Sequence, residues 1–179
     1  KVVKETIVQE KVVEKVATPT PLPAKYKEAP MLAELVKAGK LPPVDERLPE
    51  EPLVVPVFEK IGKYGGELRY GTLGPADQMI FSRNTEYENL VRWDPYWTKV
   101  IPNIAKGWDI VDGGKSFIFH LRKGIKWSDG QPFTADDFVF WYEGASNKEL
   151  NPNFPNMWTT MGQPVVVRKI DDYTVKFTY

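Results

Sequence analysis

The amino-acid sequence predicts an α/β fold of mixed α and β layers. Three observations lead there: alternating apolar runs paired around Gly and Asp turns, a capping box that opens an aromatic-faced helix, and enough apolar material for one core. The chain of 179 residues is 42% hydrophobic and 13% aromatic, which suffices for a core of ordinary domain size. Lys plus Arg balance Asp plus Glu at 24 each, so no overall field favours nucleic acid or an anionic membrane, and no nucleic-acid partner is expected. The sequence contains no cysteine and a single histidine, His120, which removes disulfides, thiolate metal sites and most zinc or triad schemes. No apolar run approaches the roughly 18 to 20 residues that span a bilayer. An export signal is expected to lie outside these residues.

Residues 1–24 read as a low-complexity tether. Val2-Val3, Ile7-Val8 and Val12-Val13 recur among Lys, Glu, Gln and Thr at neither helical nor strand period, and Pro19, Pro21 and Pro23 favour an extended spacer. Residues 25–64 read as an N-terminal extension. In it, Pro30 suits a first helical position, Met31, Leu32, Leu35 and Val36 make one stripe, and Gly39 with Pro42-Pro43 ends the helix. Five prolines between Leu41 and Pro56 predict an irregular wrap over a surface.

From residue 65 the pattern becomes domain-like. Gly65-Gly66 opens Glu67-Leu-Arg-Tyr-Gly71, an expected strand that delivers its end into the loop Thr72-Leu73-Gly74 at the edge of a cleft. Thr85 with Glu88 predicts a capping box and a short helix through Leu90 and Val91, ending at Trp93-Asp94-Pro95. Trp108–Asp112 and Lys115–Arg122 flank Gly113-Gly114 as a hairpin, with Phe117, Phe119 and Leu121 on one face and Ile118, His120 and Arg122 on the other. Turns follow at Lys123-Gly124 and Asp129-Gly130. Thr134 and Asp137 then cap a helix that presents Phe138, Trp141 and Tyr142 on one side. Val165–Ile170 and Tyr173–Tyr179 flank Asp171-Asp172 as a last hairpin. Its alternation runs to Tyr179 without a turn, so the chain is expected to be a piece of a longer protein.

Candidate chemistry is sparse. A glycosidase needs two carboxylates facing one bond across about 5 to 10 Å, whereas Asp136 and Asp137 are neighbours at a helix start and Asp171 and Asp172 share a turn. Gly62–Gly66 lacks the spacing of a phosphate loop, and Asp109, Asp112 and Gly113 are too few for a calcium loop. No catalytic residue, metal ligand or cofactor is therefore expected. Ligand contact is expected instead from the strand-end loop Thr72, Leu73 and Gly74, and from the loop aromatics Trp97 and Trp158, whose flat rings suit sugar faces and peptide side chains.

The block Ile101-Pro-Asn-Ile-Ala-Lys-Gly-Trp108, followed by Asp112 through Phe140 with its Phe119-His-Leu-Arg-Lys-Gly124, Lys126-Trp-Ser-Asp-Gly130 and Thr134-Ala-Asp-Asp137, closely resembles the signature of the family 5 solute-binding proteins. These are peptide-, dipeptide- and nickel-type receptors of ABC importers. The resemblance covers roughly residues 65 to 145 and implies a two-lobed, periplasmic-binding-protein-like (type II) receptor, with residues 65–179 as an incomplete lobe I. It further implies extracytoplasmic capture of an oligopeptide or oligosaccharide by lobe closure, with no catalysis, and delivery to the transmembrane permease subunits of an ABC transporter. A monomer is expected, held at the membrane through a lipid anchor outside this sequence. Nickel or haem cargo stays open, and the alternative is a surface carbohydrate-binding module or glycoside hydrolase. The signature residues themselves read as scaffold, because turns, a cap and core aromatics account for them.

Overall fold

A computed structural model describes residues 26–77, 79 and 87–179. The tether expected over residues 1–24 lies outside them. The described residues divide into two compact units, one of residues 107–121 and 134–179, the other of residues 26–106 and 122–133. The border expected between residues 64 and 65 falls inside the second of these.

The first unit is a sheet covered by a helix. Strands β3 (Ala105–Val111), β4 (Ser116–Leu121), β7 (Val166–Asp171) and β8 (Thr174–Thr178) form one sheet in the order β3-β4-β8-β7, and β8 runs antiparallel to both of its neighbours. Phe117 and Val167 stand opposite Phe177 in the register, and Phe119 stands opposite Val175. Strand alternation therefore puts all of these on one face. Val165, Val167, Val175, Phe177 and Leu121 are buried and form the core of this face. The turn between β3 and β4 carries positive φ at Asp112, Gly113 and Gly114, and Asp112 is tied across the sheet to Lys176 at 2.8 Å. Both expected hairpins are present.

Helix α3 (Ala135–Ser146) starts where its cap predicts. The Thr134 hydroxyl accepts from the Asp136 amide, and the Asp137 carboxylate accepts from the Thr134 amide at 2.7 Å. The Ala135 amide donates to the Asp172 carbonyl at 2.9 Å, which seats the helix start on the β7–β8 turn. Lys169 reinforces this seat by bridging Asp136 at 2.7 Å and Asp172 at 2.6 Å. The expected aromatic face is realised as well: Phe138 meets Phe177 edge-on at 6.0 Å, Trp141 meets Trp158 at 5.1 Å, and Tyr142 meets Phe154 at 6.3 Å. A small hairpin of β5 (Thr159–Thr160) and β6 (Gln163–Pro164) follows the loop.

In the second unit, α1 (Pro30–Lys37) matches the expected helix, and a short α2 (Val44–Arg47) interrupts the expected irregular wrap. Pro43 supplies the extended residue before α2, and Arg47 anchors it by pairing with Glu28. The wrap runs against the Lys123-Gly124 turn, where the Glu50 amide donates to the Lys123 carbonyl at 3.1 Å. Gly124 sits at φ +81, and a Cβ there would lie 2.8 Å from the Glu50 nitrogen, so glycine is required both by conformation and by space.

Two expectations fail. Glu67–Gly71 forms no strand: every residue from Val54 to Leu73 is exposed, and the segment belongs to none of the sheets among the described residues. An alternating pattern makes a strand only where a neighbour takes up its backbone hydrogen bonds. Of the helix expected from Thr85, that residue lies outside the described ones, residues 87–90 are not helical, and Val91–Trp93 is a strand, β1, paired with β2 (Val100–Pro102). The β-branched Val91, Val100 and Ile101 favour the ladder, and a tight loop at Asp94 closes it.

Two measurements on the full polypeptide check this packing. Phe177→Ala is expected to cost about 3–5 kcal/mol in denaturant unfolding, whereas Phe140→Ala, on the exposed face of α3, stays within about 0.5 kcal/mol. Hydrogen bonds to Asp136 first, then Asp172, push the Lys169 ammonium from its usual 10.5 up to about 12. A raised pKa stabilises fully below the ordinary lysine value, and that contribution disappears as the pH rises through about 12. Lys169→Met should therefore lower the melting midpoint at neutral pH and flatten its alkaline decline.

Candidate functional site

Strands β1 and β2 carry a loop, residues 94–99, whose construction is dictated by one carboxylate. Asp94 is buried at 7% exposure, although Pro95 through Lys99 around it are exposed. Its Oδ1 accepts from the Thr98 amide at 2.7 Å and the Lys99 amide at 3.3 Å, and its Oδ2 accepts from the Thr98 hydroxyl at 2.6 Å. The backbone closes the same loop, with the Asp94 amide donating to the Lys99 carbonyl at 2.9 Å and the Trp97 amide to the Asp94 carbonyl at 3.0 Å. The Thr98 hydroxyl first, then the two amides and the Lys99 charge, hold the Asp94 carboxyl below the usual carboxylate range against the opposing effect of burial.

This framework presents aromatic rings outward. Trp97 is 75% exposed at φ +57, a left-handed conformation that is uncommon for a bulky residue. Its ring lies 6.0 Å from that of Trp93 at an interplanar angle of 22°. Tyr96 turns the other way, with its ring 5.2 Å from that of Phe58. The expected contact residue Trp97 is thus on a rigid, exposed tip. The partnership with Trp93 and the anchor at Asp94 were not read from the sequence, although an Asp four residues before a Thr beside proline is a signal for a side-chain-closed turn.

The other expected contact residues lie apart from this tip in character. Thr72 and Leu73 are exposed, Leu73 fully so, and Gly74 is half-buried. The Leu73 amide donates to Asp77 Oδ2 at 2.7 Å and the Asp77 amide to the Gly74 carbonyl at 3.1 Å, so the loop leads into a single 3-10 turn at Pro75–Asp77. Trp158 belongs to the first unit and is half-buried, stacked on Phe177 at 6.0 Å and tilted against Trp141 at 5.1 Å. Its ring is largely engaged in packing.

The signature residues have structural partners. The Asn103 side-chain amide donates to Glu88 at 2.6 Å and to the Asn89 carbonyl at 2.7 Å, and Arg122 Nε donates to the Asn103 carbonyl at 2.7 Å. Asp129 Oδ1 accepts from the Gln131 amide at 2.9 Å, closing its turn. His120 Nε2 lies 2.9 Å from Asp109 Oδ2 on the sheet face opposite the core.

Residues 99–179 match the family described as Bacterial extracellular solute-binding proteins, family 5 Middle. Over these residues the chain belongs to the family 5 solute-binding proteins. A periplasmic alpha-galactoside-binding protein of Rhizobium meliloti is 36% identical over 86% of the chain, which spans 25% of that relative. Among solved structures, an oligopeptide-binding protein OppA superposes with a TM-score of 0.74 and 46% identity over 87% of the chain, and 24% of its own length is covered. The periplasmic binding protein MelB of Agrobacterium fabrum, in complex with stachyose, superposes at a TM-score of 0.52 with 31% identity, covering 93% of this chain and 27% of that one. The chain thus spans about a quarter of the length of these relatives. No helix among the described residues is long and apolar enough to cross a membrane.

The carboxylate that closes this loop makes a pH-dependent tip the expected outcome. Its depressed pKa makes its contribution complete above the ordinary carboxylate range and lost as the pH falls through the lowered value. Acid titration of the full polypeptide, followed by tryptophan emission, is expected to show this transition, and Asp94→Asn to remove it.

Proposed function

We propose that this chain is part of the solute-binding component of an ABC importer. The component works outside the cytoplasm, captures an oligopeptide or oligosaccharide between two closing lobes, and delivers it unchanged to the transmembrane permease subunits. The observation that carries the reading is the match of the signature block and its fold to the family 5 binding proteins, with a TM-score of 0.74 against an oligopeptide-binding protein. Relatives named for an oligopeptide and for α-galactosides keep both solute classes within it. The signature residues serve the scaffold in this reading, and the candidates for contact with the solute are Thr72, Leu73, Gly74 and Trp97 of the second unit and, separately, Trp158 of the first.

Closure is the mechanism, and no bond of the solute is made or broken. A ligand draws the lobes together only to the extent that it binds the closed state more tightly than the open one. Residues 1–24 act in this reading as a spacer between a lipid-anchored terminus and a monomeric receptor.

Titrating the full polypeptide with peptide and oligosaccharide panels while following thermal unfolding tests this reading. A true ligand at a hundredfold excess over its Kd is expected to stabilise the protein by about 2.7 kcal/mol. Mass spectrometry should recover the ligand intact. No stabilisation by any solute, or release of reducing sugar or amine from a bound one, would overturn the reading, the latter in favour of a hydrolase.

A further inference from the structure

We propose that the paired indoles of Trp93 and Trp97 form a stacking surface for pyranose rings, so that the captured solute is an oligosaccharide and not a peptide. The inference rests on the receptor reading above and deepens it. Three observations on the β1–β2 loop lead to it. First, the two rings are near-parallel, 22° apart with centroids at 6.0 Å, and they remain 50% and 75% exposed. They offer a stepped flat apolar surface, which suits the axial C–H faces of a sugar ring.

Second, the surface is preorganised. Trp97 is held at φ +57 by a loop that Asp94 closes with three hydrogen bonds, so the ring is presented without ordering a flexible segment upon binding. The left-handed Trp97 closes the Asp94 turn, with its amide on the Asp94 carbonyl at 3.0 Å, so the hairpin loop itself fixes where the indole is placed. Third, the charges flanking the rings are already engaged. Arg92 pairs with Glu88 at 2.7 Å, and Asp94 is compensated by Thr98 and Lys99. A peptide presents charged termini that call for ion-pairing groups, whereas a neutral saccharide calls first for flat apolar area of the kind the two indoles expose.

The test uses the full polypeptide, isothermal titration with cello-, malto- and galacto-oligosaccharides and with di- to pentapeptides, and tryptophan emission as a second readout. A saccharide is expected to bind and shift the emission. Trp93→Ala and Trp97→Ala are each expected to weaken it by about tenfold or more, equivalent to ~1.4 kcal/mol, with the ligand-free melting midpoint unchanged. Should Trp97→Ala lower that midpoint, Trp97→Phe decides: it must hold the saccharide more tightly than Trp97→Ala, and equal affinities overturn the proposal. Saccharide binding that ignores both alanine substitutions also overturns it. Peptide binding with no saccharide binding overturns this inference while leaving the receptor reading intact, and binding of neither class sinks both.

Discussion

The burial of Phe177 is the interaction on which the first unit depends. Phe177 lies on β8, an inner strand of the sheet, and its ring meets Phe119 of β4 at 5.6 Å, Phe138 of α3 at 6.0 Å and Trp158 of the following loop at 6.0 Å. One side chain thus joins strand, helix and loop, and each of these would otherwise leave an apolar face against water. The register gives it this position. With Ser116 opposite Thr178 and Val166 opposite Thr178 on the other side, a slip of β8 by one residue would turn Phe177 and Val175 to the opposite face, away from Phe119. Lys169 and the Thr134 cap then hold α3 over the ring, so local polar bonds and core packing support the same arrangement.

A division of labour between framework and contact follows. The residues that make the sequence resemble its family, Asn103, Arg122, Gly124, Asp129 and Thr134, are occupied in hydrogen bonds or close backbone approaches. The proposed contact side chains Trp93, Trp97 and Leu73 are exposed and lie outside that signature. On the proposed reading, family identity and solute specificity fall to different residues, and the framework tolerates changes at the exposed loops.

The legible parts of the sequence were those whose partners are local. The β3–β4 and β7–β8 hairpins, α1 and the capped α3 each announce themselves through alternation, turn glycines or a capping pair within a dozen residues. Glu67–Gly71 has equally good alternation, yet a strand needs a sheet neighbour that its own residues do not specify, and the segment joins none of the sheets among the described residues. Residues 87–93 misled for the reverse reason: Glu88, Leu90 and Val91 satisfy a helical spacing, but pairing with Val100–Pro102 outweighs a weak intrinsic propensity. At the candidate site, proline and crowded aromatics marked the loop, in which Trp97 is exposed. The stacking of Trp93 on Trp97 required the β1–β2 register to be known, and the half-burial of Trp158 required the position of Phe177.

The left-handed backbone of Trp97 sets an evolutionary trade-off. Glycine would relax that position without disturbing the Asp94 hydrogen bonds, so selection for thermal robustness alone would erase the indole. A homologue that has drifted to glycine there would gain a calmer hairpin and lose the exposed indole, and comparing the two residues across cousins would reveal which pressure governed each lineage.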